Sequence, residues 1–499
     1  MSKVKTCYPS KEEFVEFASE SNLIPVCREI VADLETPVSV YNKVYQDGCS
    51  CLLESVEGSA KLSRYSFLAG DPFLQLKAFG KHVVVSGENQ SEKRKGDVLN
   101  ILREVLAEYK VAQVPGLPRF FGGAVGYIGY DSLRSAETVS SDLEDELGIP
   151  DTYLVFPESV IVFDHYTSKL KIIVNVLVSG DPEAAYRKAE NKLDYLTKTI
   201  RCNNGYAYGD PADISSDLDA GFSLTSNTSR DQFMANVEKV KEYIDAGDIL
   251  QAVISQRFET AINSKPFEVY RALRSLNPSP YMYYLNFDQV QVAGASPEML
   301  VRLENGVVET RPIAGTRPRG ENREADVALE KELFLDDKER SEHEMLVDLG
   351  CADLDRVSLE GSVEVPNHMI CEKYSHVMHL VSEVRGKLKE NRDAIDALVA
   401  CFPAGTVSGA PREKAMEIID QLEVAKRGPY AGAVGYFSFT GNMDTCITIR
   451  TIVFANGKAY AQAGAGIVAD SKPEKEYEET INKAEALVKA LQLAGEGVD

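Results

Sequence analysis

The sequence predicts an α+β fold, and three features carry the prediction. Runs rich in β-branched residues are interleaved with segments of helical periodicity, the helices end at recognisable stop signals, and no regular βαβ beat appears. In the first 200 residues, strands are expected at 82–85, 160–163 and 170–176, with helices at 96–110 and 182–200. The stretch 202–229 lacks periodicity and is loaded with Asn, Gly, Asp and Ser, which reads as a long connection. The chain is therefore expected to divide into an N-terminal structural or regulatory domain, 1–222, and a catalytic domain, 223–499.

Beyond it, helix 230–246 stops at Gly247, strand 249–258 follows, and helix 266–275 stops at Asn277-Pro278. Strands are expected at 281–286, 290–294, 298–303, 307–311, 374–385, 430–440, 444–454 and 458–468, and helices at 323–349, 392–400, 411–423 and 471–494. One echo stands out: Gly122-Gly123-Ala124-Val125-Gly126-Tyr127 and Ala431-Gly432-Ala433-Val434-Gly435-Tyr436. It marks either equivalent strands of two related sheets or strands of small residues whose backbones pack closely.

A net charge of −23 disfavours nucleic-acid binding, and no basic run exceeds Lys93-Arg94-Lys95. Nine scattered cysteines without a CxxC pair suit free thiols in a reducing cytoplasm. No apolar run is long enough for a membrane span, and Met1-Ser2-Lys3-Val4-Lys5 leads into no apolar targeting segment.

One carboxylate is out of place. Helical spacing over 323–349 sets Leu335, Glu342, Met345, Leu346 and Leu349 on one stripe, so Glu342 falls among apolar positions. A desolvated carboxylate costs several kcal/mol unless an arginine, a proton or a metal compensates it. The last helix supplies a candidate answer. A capping box, Ser471-Lys472-Pro473-Glu474, starts it, and Glu476, Glu479 and Lys483 flank its apolar stripe. A solvated Glu479–Lys483 pair is the ordinary reading. Carboxylates converging with Glu342 would instead suit a hard divalent cation such as Mg²⁺.

Other motifs exclude more than they establish. Gly464-Ala465-Gly466-Ile467-Val468-Ala469 matches a dinucleotide fingerprint, but too little chain follows it for the second strand such a site needs. Its glycines suit a tight turn or an anion-binding helix N-terminus. Gly405-Thr406-Val407-Ser408-Gly409 lacks a P-loop lysine and a nucleophile elbow, and His343-Glu344 lacks a second zinc-binding histidine. His376 and His379 fall on opposite faces of a strand. Three arginines in Arg311–Gly320 suit an anion site or a solvated loop, and Arg450, placed within a strand, needs a carboxylate partner if buried.

Taken together, the chain resembles the chorismate-utilising enzymes, and most closely the anthranilate synthase component I branch. The resemblance runs over nearly the whole chain and rests on Gly247–Gln251, Gly294–Glu298, Arg311–Gly320, Ser341–Leu349, Met378–Val381, Pro403–Pro411, Tyr430–Tyr436, Asp444–Arg450 and Ala463–Lys483. It implies a two-lobed fold with large, mostly antiparallel sheets flanked by helices. It also implies Mg²⁺ held at Glu342 and Glu479 with Glu476 nearby, and chorismate held by Gly315, Thr316, Tyr430, Arg450, Gly464, Ala465, Gly466 and Lys483. Glu298 becomes the general acid for the departing hydroxyl, with His379 and Thr406 serving later steps. The acid role requires a pKa raised toward neutrality.

Ala314 and Gln251 stand where relatives that attack the substrate covalently, or activate water, carry lysine, which favours ammonia as the nucleophile. The resemblance further implies an allosteric tryptophan site at Glu54, Ser55, Pro280, Tyr281 and Met282, and a separate glutamine amidotransferase subunit in a two-plus-two assembly. The rival readings are aminodeoxychorismate synthase component I and a catalytically inactive tryptophan-binding regulatory subunit.

Overall fold

The structure is a computed structural model, and it describes residues 7–45, 47–56, 64–88, 90–132, 143–202, 224–262, 264–374 and 377–496. The expected boundary near 222 and His376 lie outside them. The strand ladders among the described residues are antiparallel, with helices packed against them, as an α+β chain requires. Among the described residues, no helix is long and apolar enough to cross a membrane. All nine cysteines are free thiols.

Two runs of strands organise the molecule. In the first, Gln251–Ala261 pairs with Lys458–Ile467, which pairs in turn with Thr451–Ala455, Val290–Ser296 and Tyr281–Phe287. That run continues through Ser50–Glu54 and Tyr65–Phe79 to Thr152–Asp164. In the second, Val377–Lys387 leads through Val307–Thr310, Met299–Glu304, Met443–Ile447 and Ala433–Ser438 to Gly123–Ile128. It too ends on Thr152–Asp164. Strands of the first 200 residues thus complete both runs begun by the later ones.

The echoed segments turn out to be neighbours. Gly126 lies opposite Gly435, Val125 opposite Tyr436 and Tyr127 opposite Val434, so each residue faces the partner of its own equivalent about a local two-fold. Small residues are obligatory here, because a Cβ on Gly435 would stand 2.0 Å from the Asp444 carbonyl oxygen and one on Gly123 2.0 Å from that of Phe437.

Three expectations need correction. The single helix over 323–349 is two, Arg323–Leu335 and Asp337–Asp355. Asp336 closes one and caps the other, accepting from the N–H groups of Lys338 (3.1 Å) and Glu339 (3.2 Å) while Arg317 holds its second oxygen at 2.7 Å. An Asp cap contributes about 1 kcal/mol. The stripe through Leu335 is therefore broken: Leu335 is 78% exposed, and the buried face of the second helix is His343, Leu346, Val347, Gly350 and Leu354. Glu342 borders that face, half-buried.

The glycines of 464–466 lie within a strand, Gly464 opposite Ser255 and Gly466 opposite Val253, and form neither a turn nor a helix N-terminus. Ser471, read as a capping residue, instead turns back: its Oγ accepts from the Val468 N–H at 3.1 Å.

The crowding at Gly435 is directly testable. Gly435→Ala is expected to lower the thermal midpoint by about 3 °C or more, since overpacking against backbone has no soft neighbour to move and costs about 3 kcal/mol or more, at roughly 1 °C per kcal/mol for a chain of this length. Gly441→Ala, whose Cβ meets nothing within 4 Å, should cost only the strain of its positive φ and shift the midpoint far less. Differential scanning fluorimetry of the two variants makes the comparison.

Candidate active site

A cavity of about 240 Å³ opens between the two strand runs. The Gln251 run contributes Val253, Gln462, Ala463 and Gly464, and the other contributes Ile313, Ala314, Thr316 and His379. Glu298 and Arg450 stand at the places where the chain crosses from one run to the other. Pro297-Glu298 joins Val290–Ser296 to Met299–Glu304, and Thr448–Arg450 joins Met443–Ile447 to Thr451–Ala455. The expected single strand over 444–454 is therefore two, broken at Arg450, whose φ is +52°. The crossings are knitted together: Ala295 N–H donates to Arg450 O (3.0 Å), Ile447 N–H to Glu298 O (3.1 Å) and Ser296 Oγ–H to Ile447 O (2.6 Å).

Thr406 Oγ1–H donates to Glu298 Oε1 at 3.0 Å. Burial pushes the Glu298 carboxyl up to about 7, against the opposing pull of that hydrogen bond and of the Lys483 charge. A carboxylic acid protonated near neutral pH is what the sequence required of this position. His379 Nδ1 lies 3.2 Å from Gly315 O and 3.0 Å from Thr316 Oγ1. Burial, reinforced by the Arg450 charge, holds its pKa below the usual histidine value, so the ring is neutral at pH 7. With Nδ1–H donating to Gly315 O, Nε2 is left as a base.

Arg450 reverses an expectation. It donates to Lys483 O at 3.1 Å, but among the described residues no carboxylate lies within ion-pair distance of it. A half-buried guanidinium facing a cavity without an acid partner has the geometry and charge to accept a carboxylate. Lys483 donates to Gly464 O at 3.0 Å and pairs with Glu479 at 2.6 Å. Tyr430 is 8% exposed, and its hydroxyl oxygen sits 2.7 Å from where a Cβ on Gly464 would be, which explains that glycine. Gly466 makes the same kind of room for the Gln251 amide, likewise at 2.7 Å.

Other expected residues stand further back. Ala465 turns its methyl into the core with Ala252 and Ile254. Gly315, Gly466 and Gln251 adjoin the cavity without lining it. The Arg311–Gly320 arginines form no anion site, because each is satisfied within the protein: Arg311 by Glu372, Arg317 by Glu332 and Asp336, Arg319 by Asp326.

The acids of the proposed metal site sense one another. Glu342 is raised by burial and then by the charges of Glu339 and Glu479. Glu476 is raised by burial and by Glu479, opposed by a hydrogen bond from Ser471. Among the described residues no three His, Cys, Asp or Glu side chains form a ready-made metal cage. Mutually repelling carboxylates of hard oxygen character nevertheless fit an ion that takes few protein oxygens and completes its shell with water and substrate.

Gln462, Val253, Val407 and Ile449 line the cavity and escaped the sequence reading. Gln462 alone carried a signal, as a long polar residue flanked by alanines, Ala461 and Ala463.

A second cavity lies between the same strand runs. Glu54, Ser55, Pro280, Tyr281 and Met282 all line it, together with Tyr65, Phe67, Tyr283 and Tyr436. Glu54 accepts from Tyr270 Oη–H (2.5 Å) and Arg274 Nε–H (3.0 Å), while Arg302 pairs with Asp444 at 2.8 Å on the cavity wall.

The family described as chorismate binding enzyme matches residues 59–489, and the chain belongs to that family. Within it, the chain is 50% identical over 491 residues to anthranilate synthase component 1 of Acetivibrio thermocellus, covering 98% of this chain and 99% of that one. It is 46% identical to the Aquifex aeolicus protein of the same name, covering 98% of each. Among solved structures, anthranilate synthase component I from Streptococcus pneumoniae TIGR4 superposes with a TM-score of 0.75 at 39% identity, over 92% of this chain and 98% of that one. The menaquinone-specific isochorismate synthase MenF from Escherichia coli shares the fold, with a TM-score of 0.68 at 18% identity over 96% of this chain and 98% of that one. This protein is thus an enzyme of the chorismate-utilising class, and its similarity is to the anthranilate synthase component 1 proteins.

The carboxyl of Glu298 gives a stability test that needs no substrate. Its folded pKa lies above the unfolded one, so the folded state is penalised progressively as pH rises from about 4.5 through about 7. Glu298→Gln does not titrate. Its thermal midpoint relative to wild type is therefore expected to be higher at pH 8 than at pH 5, and a pH-independent difference would contradict the raised pKa.

Proposed function

We propose that this chain is the Mg²⁺-dependent aminating lyase component of an anthranilate synthase, converting chorismate and ammonia to anthranilate, pyruvate and water. The observation that carries the reading is that Glu298, its carboxyl pushed up to about 7 by burial, faces the same cavity as Arg450, a cation with no acid partner among the described residues. Arg450 and Lys483 take the substrate's carboxylates, and Tyr430 and Gly464 shape the space for its ring. Ammonia adds at C2 while Glu298 gives its proton to the C4 hydroxyl, which leaves as water. Neutral His379 is the base for the later step, in which the C2 proton is removed, the enolpyruvyl group departs as pyruvate and the ring becomes aromatic. Mg²⁺ held by Glu342 and Glu479, with Glu476 close by, would supply positive charge to a substrate carboxylate. Ala314 presents only a methyl group to the cavity, which disfavours the covalent chemistry of aminodeoxychorismate synthases.

The ammonia source is a glutamine amidotransferase partner, matching the "component 1" in the relatives' names. The aromatic-lined second cavity takes L-tryptophan as feedback inhibitor, with the first 222 residues as the regulatory domain. Its aromatic walls and its polar end suit an aromatic amino acid. These carboxylates and a neutral-pH acid also disfavour a purely regulatory subunit.

Two experiments test this. Chorismate, Mg²⁺ and ammonium should yield pyruvate and blue-fluorescent anthranilate from the isolated chain, with EDTA abolishing turnover. Glu342→Ala should fold normally and lose at least about 100-fold in rate. A product that keeps its enolpyruvyl ether, or a rate indifferent to EDTA, overturns the assignment. Tryptophan should bind by calorimetry and inhibit, and Ser55→Phe, which fills the second cavity, should turn over without inhibition. Equal inhibition of that variant removes the cavity from the regulatory reading.

A further inference from the structure

Glu423 and Arg427 lie four residues apart, with side chains only 5% and 1% exposed. Arg427 donates twice to Glu423, Nη2–H at 2.6 Å and Nε–H at 2.9 Å. The rest of its fork reaches outward: Nη1–H donates to Val407 O and Nη2–H to Val253 O, both at 2.7 Å. Its guanidinium carbon stands 5.6 Å from the centre of the Tyr430 ring and 4.6 Å from that of Tyr130. Glu423 Oε1 also accepts from the N–H and the Oγ–H of Ser255, each at 2.8 Å, and Ser255 Oγ accepts from Gln462 Nε2–H at 2.8 Å.

Val253, Val407, Tyr430 and Gln462 line the active-site cavity, whereas Glu423 and Arg427 do not. One ion pair that does not line the cavity therefore contacts three parts of its wall directly, Val253, Val407 and Tyr430, and a fourth, Gln462, through Ser255. As a source of stability such a pair is poor, because desolvating both ions offsets their attraction, and apolar replacements are often neutral. What the pair does supply is fixed geometry, through a planar fork that holds its partners at set angles.

Resting on the reaction assigned above, we infer that Arg427, held by Glu423, is a positioning residue for the general acid and the substrate wall. Through the Val407 carbonyl it fixes the turn that carries Thr406, and Thr406 holds Glu298. Through Val253, Tyr430 and the Ser255–Gln462 link it fixes the opposite side.

The test uses the full chain in the ammonium-driven assay, where product from wild type establishes the reaction and the variants then address the clamp. Glu423→Gln/Arg427→Met removes both charges together, so no lone ion is left buried, and Glu423→Gln is avoided as a single change for that reason. The double variant should melt within about 3 °C of wild type, while kcat/KM falls about 10- to 100-fold with most of the loss in kcat. Its crystal structure should show the Thr406 Oγ1–Glu298 Oε1 contact, 3.0 Å here, opened beyond hydrogen-bond reach. Arg427→Lys keeps the charge but cannot fork to both carbonyls, and it should show the same kinetic loss in a folded protein. Wild-type kcat and KM in either folded variant, or an unchanged 3.0 Å contact in the double variant, would overturn the inference.

Discussion

The structure depends on two neighbouring places where the chain leaves one run of strands for the other. Pro297-Glu298 and Thr448–Arg450 cross side by side, held by the Ala295–Arg450, Ile447–Glu298 and Ser296–Ile447 hydrogen bonds. A residue inside a regular strand directs its side chain to one face or the other. A residue at a crossing is free of that alternation, and both crossings use the freedom to aim a charged or titratable group into the space between the runs. The cost is local. Arg450 adopts a left-handed backbone at φ +52°, a conformation that costs on the order of 1 kcal/mol or more in a non-glycine residue. Ser296, fully buried, spends its hydroxyl on bracing the crossing.

Electrostatics within the cavity run against the composition. A protein of net charge −23 repels a dianionic ligand at long range, so recognition has to be built from cations at close quarters. Most arginines near the site are already paired with acids, as Arg311, Arg317 and Arg319 are. Among the described residues Arg450 is left without one, and burial holds its pKa below the usual arginine value, which marks a charge short of solvation. On the other side Glu479 repels both Glu342 and Glu476. On the proposed function a ligand carboxylate would relieve the first imbalance and a divalent cation the second, so the two would bind in mutual support.

Much of this was legible in the sequence, and the failures share a cause. Ordered motifs scattered between Glu298 and Lys483 do converge: Glu298, Thr316, His379, Thr406, Tyr430, Arg450, Gly464 and Lys483 line one cavity. Element types and most boundaries were readable from periodicity and stop signals. What periodicity misjudged were residues whose partners lie far away in the chain. Asp336 looked like one more helical acid because Arg317, which anchors its cap, is not its neighbour in sequence. The Arg311–Gly320 run looked like an anion site because Glu332, Glu372 and Asp326 are supplied by other elements. The glycines at 464 and 466 looked like a turn because the side chains they make room for, Tyr430 and Gln251, come from elsewhere. Glu342 was placed correctly as an anomaly but on the wrong stripe: it borders the buried face and does not belong to it.

The second cavity is bound to the first by the same crossings. Tyr281, on its wall, lies directly opposite Ser296, two residues before Glu298. Cys446, also on its wall, precedes Ile447, whose N–H and carbonyl fasten both crossings. A ligand that separates Tyr281 from Cys446 therefore pulls on the strand ends that set Glu298 and Arg450. Packed strands have few intermediate positions, so such a pull shifts the balance between discrete arrangements and does not bend one arrangement gradually. The strength of the effect is bounded by how much better the ligand binds one arrangement than the other. If the second cavity takes an inhibitor and Arg450 the substrate, as proposed, the coupling is reciprocal and each ligand changes the other's affinity by the same factor. On that proposal, competition between two ligands that never touch would follow from the strand connections.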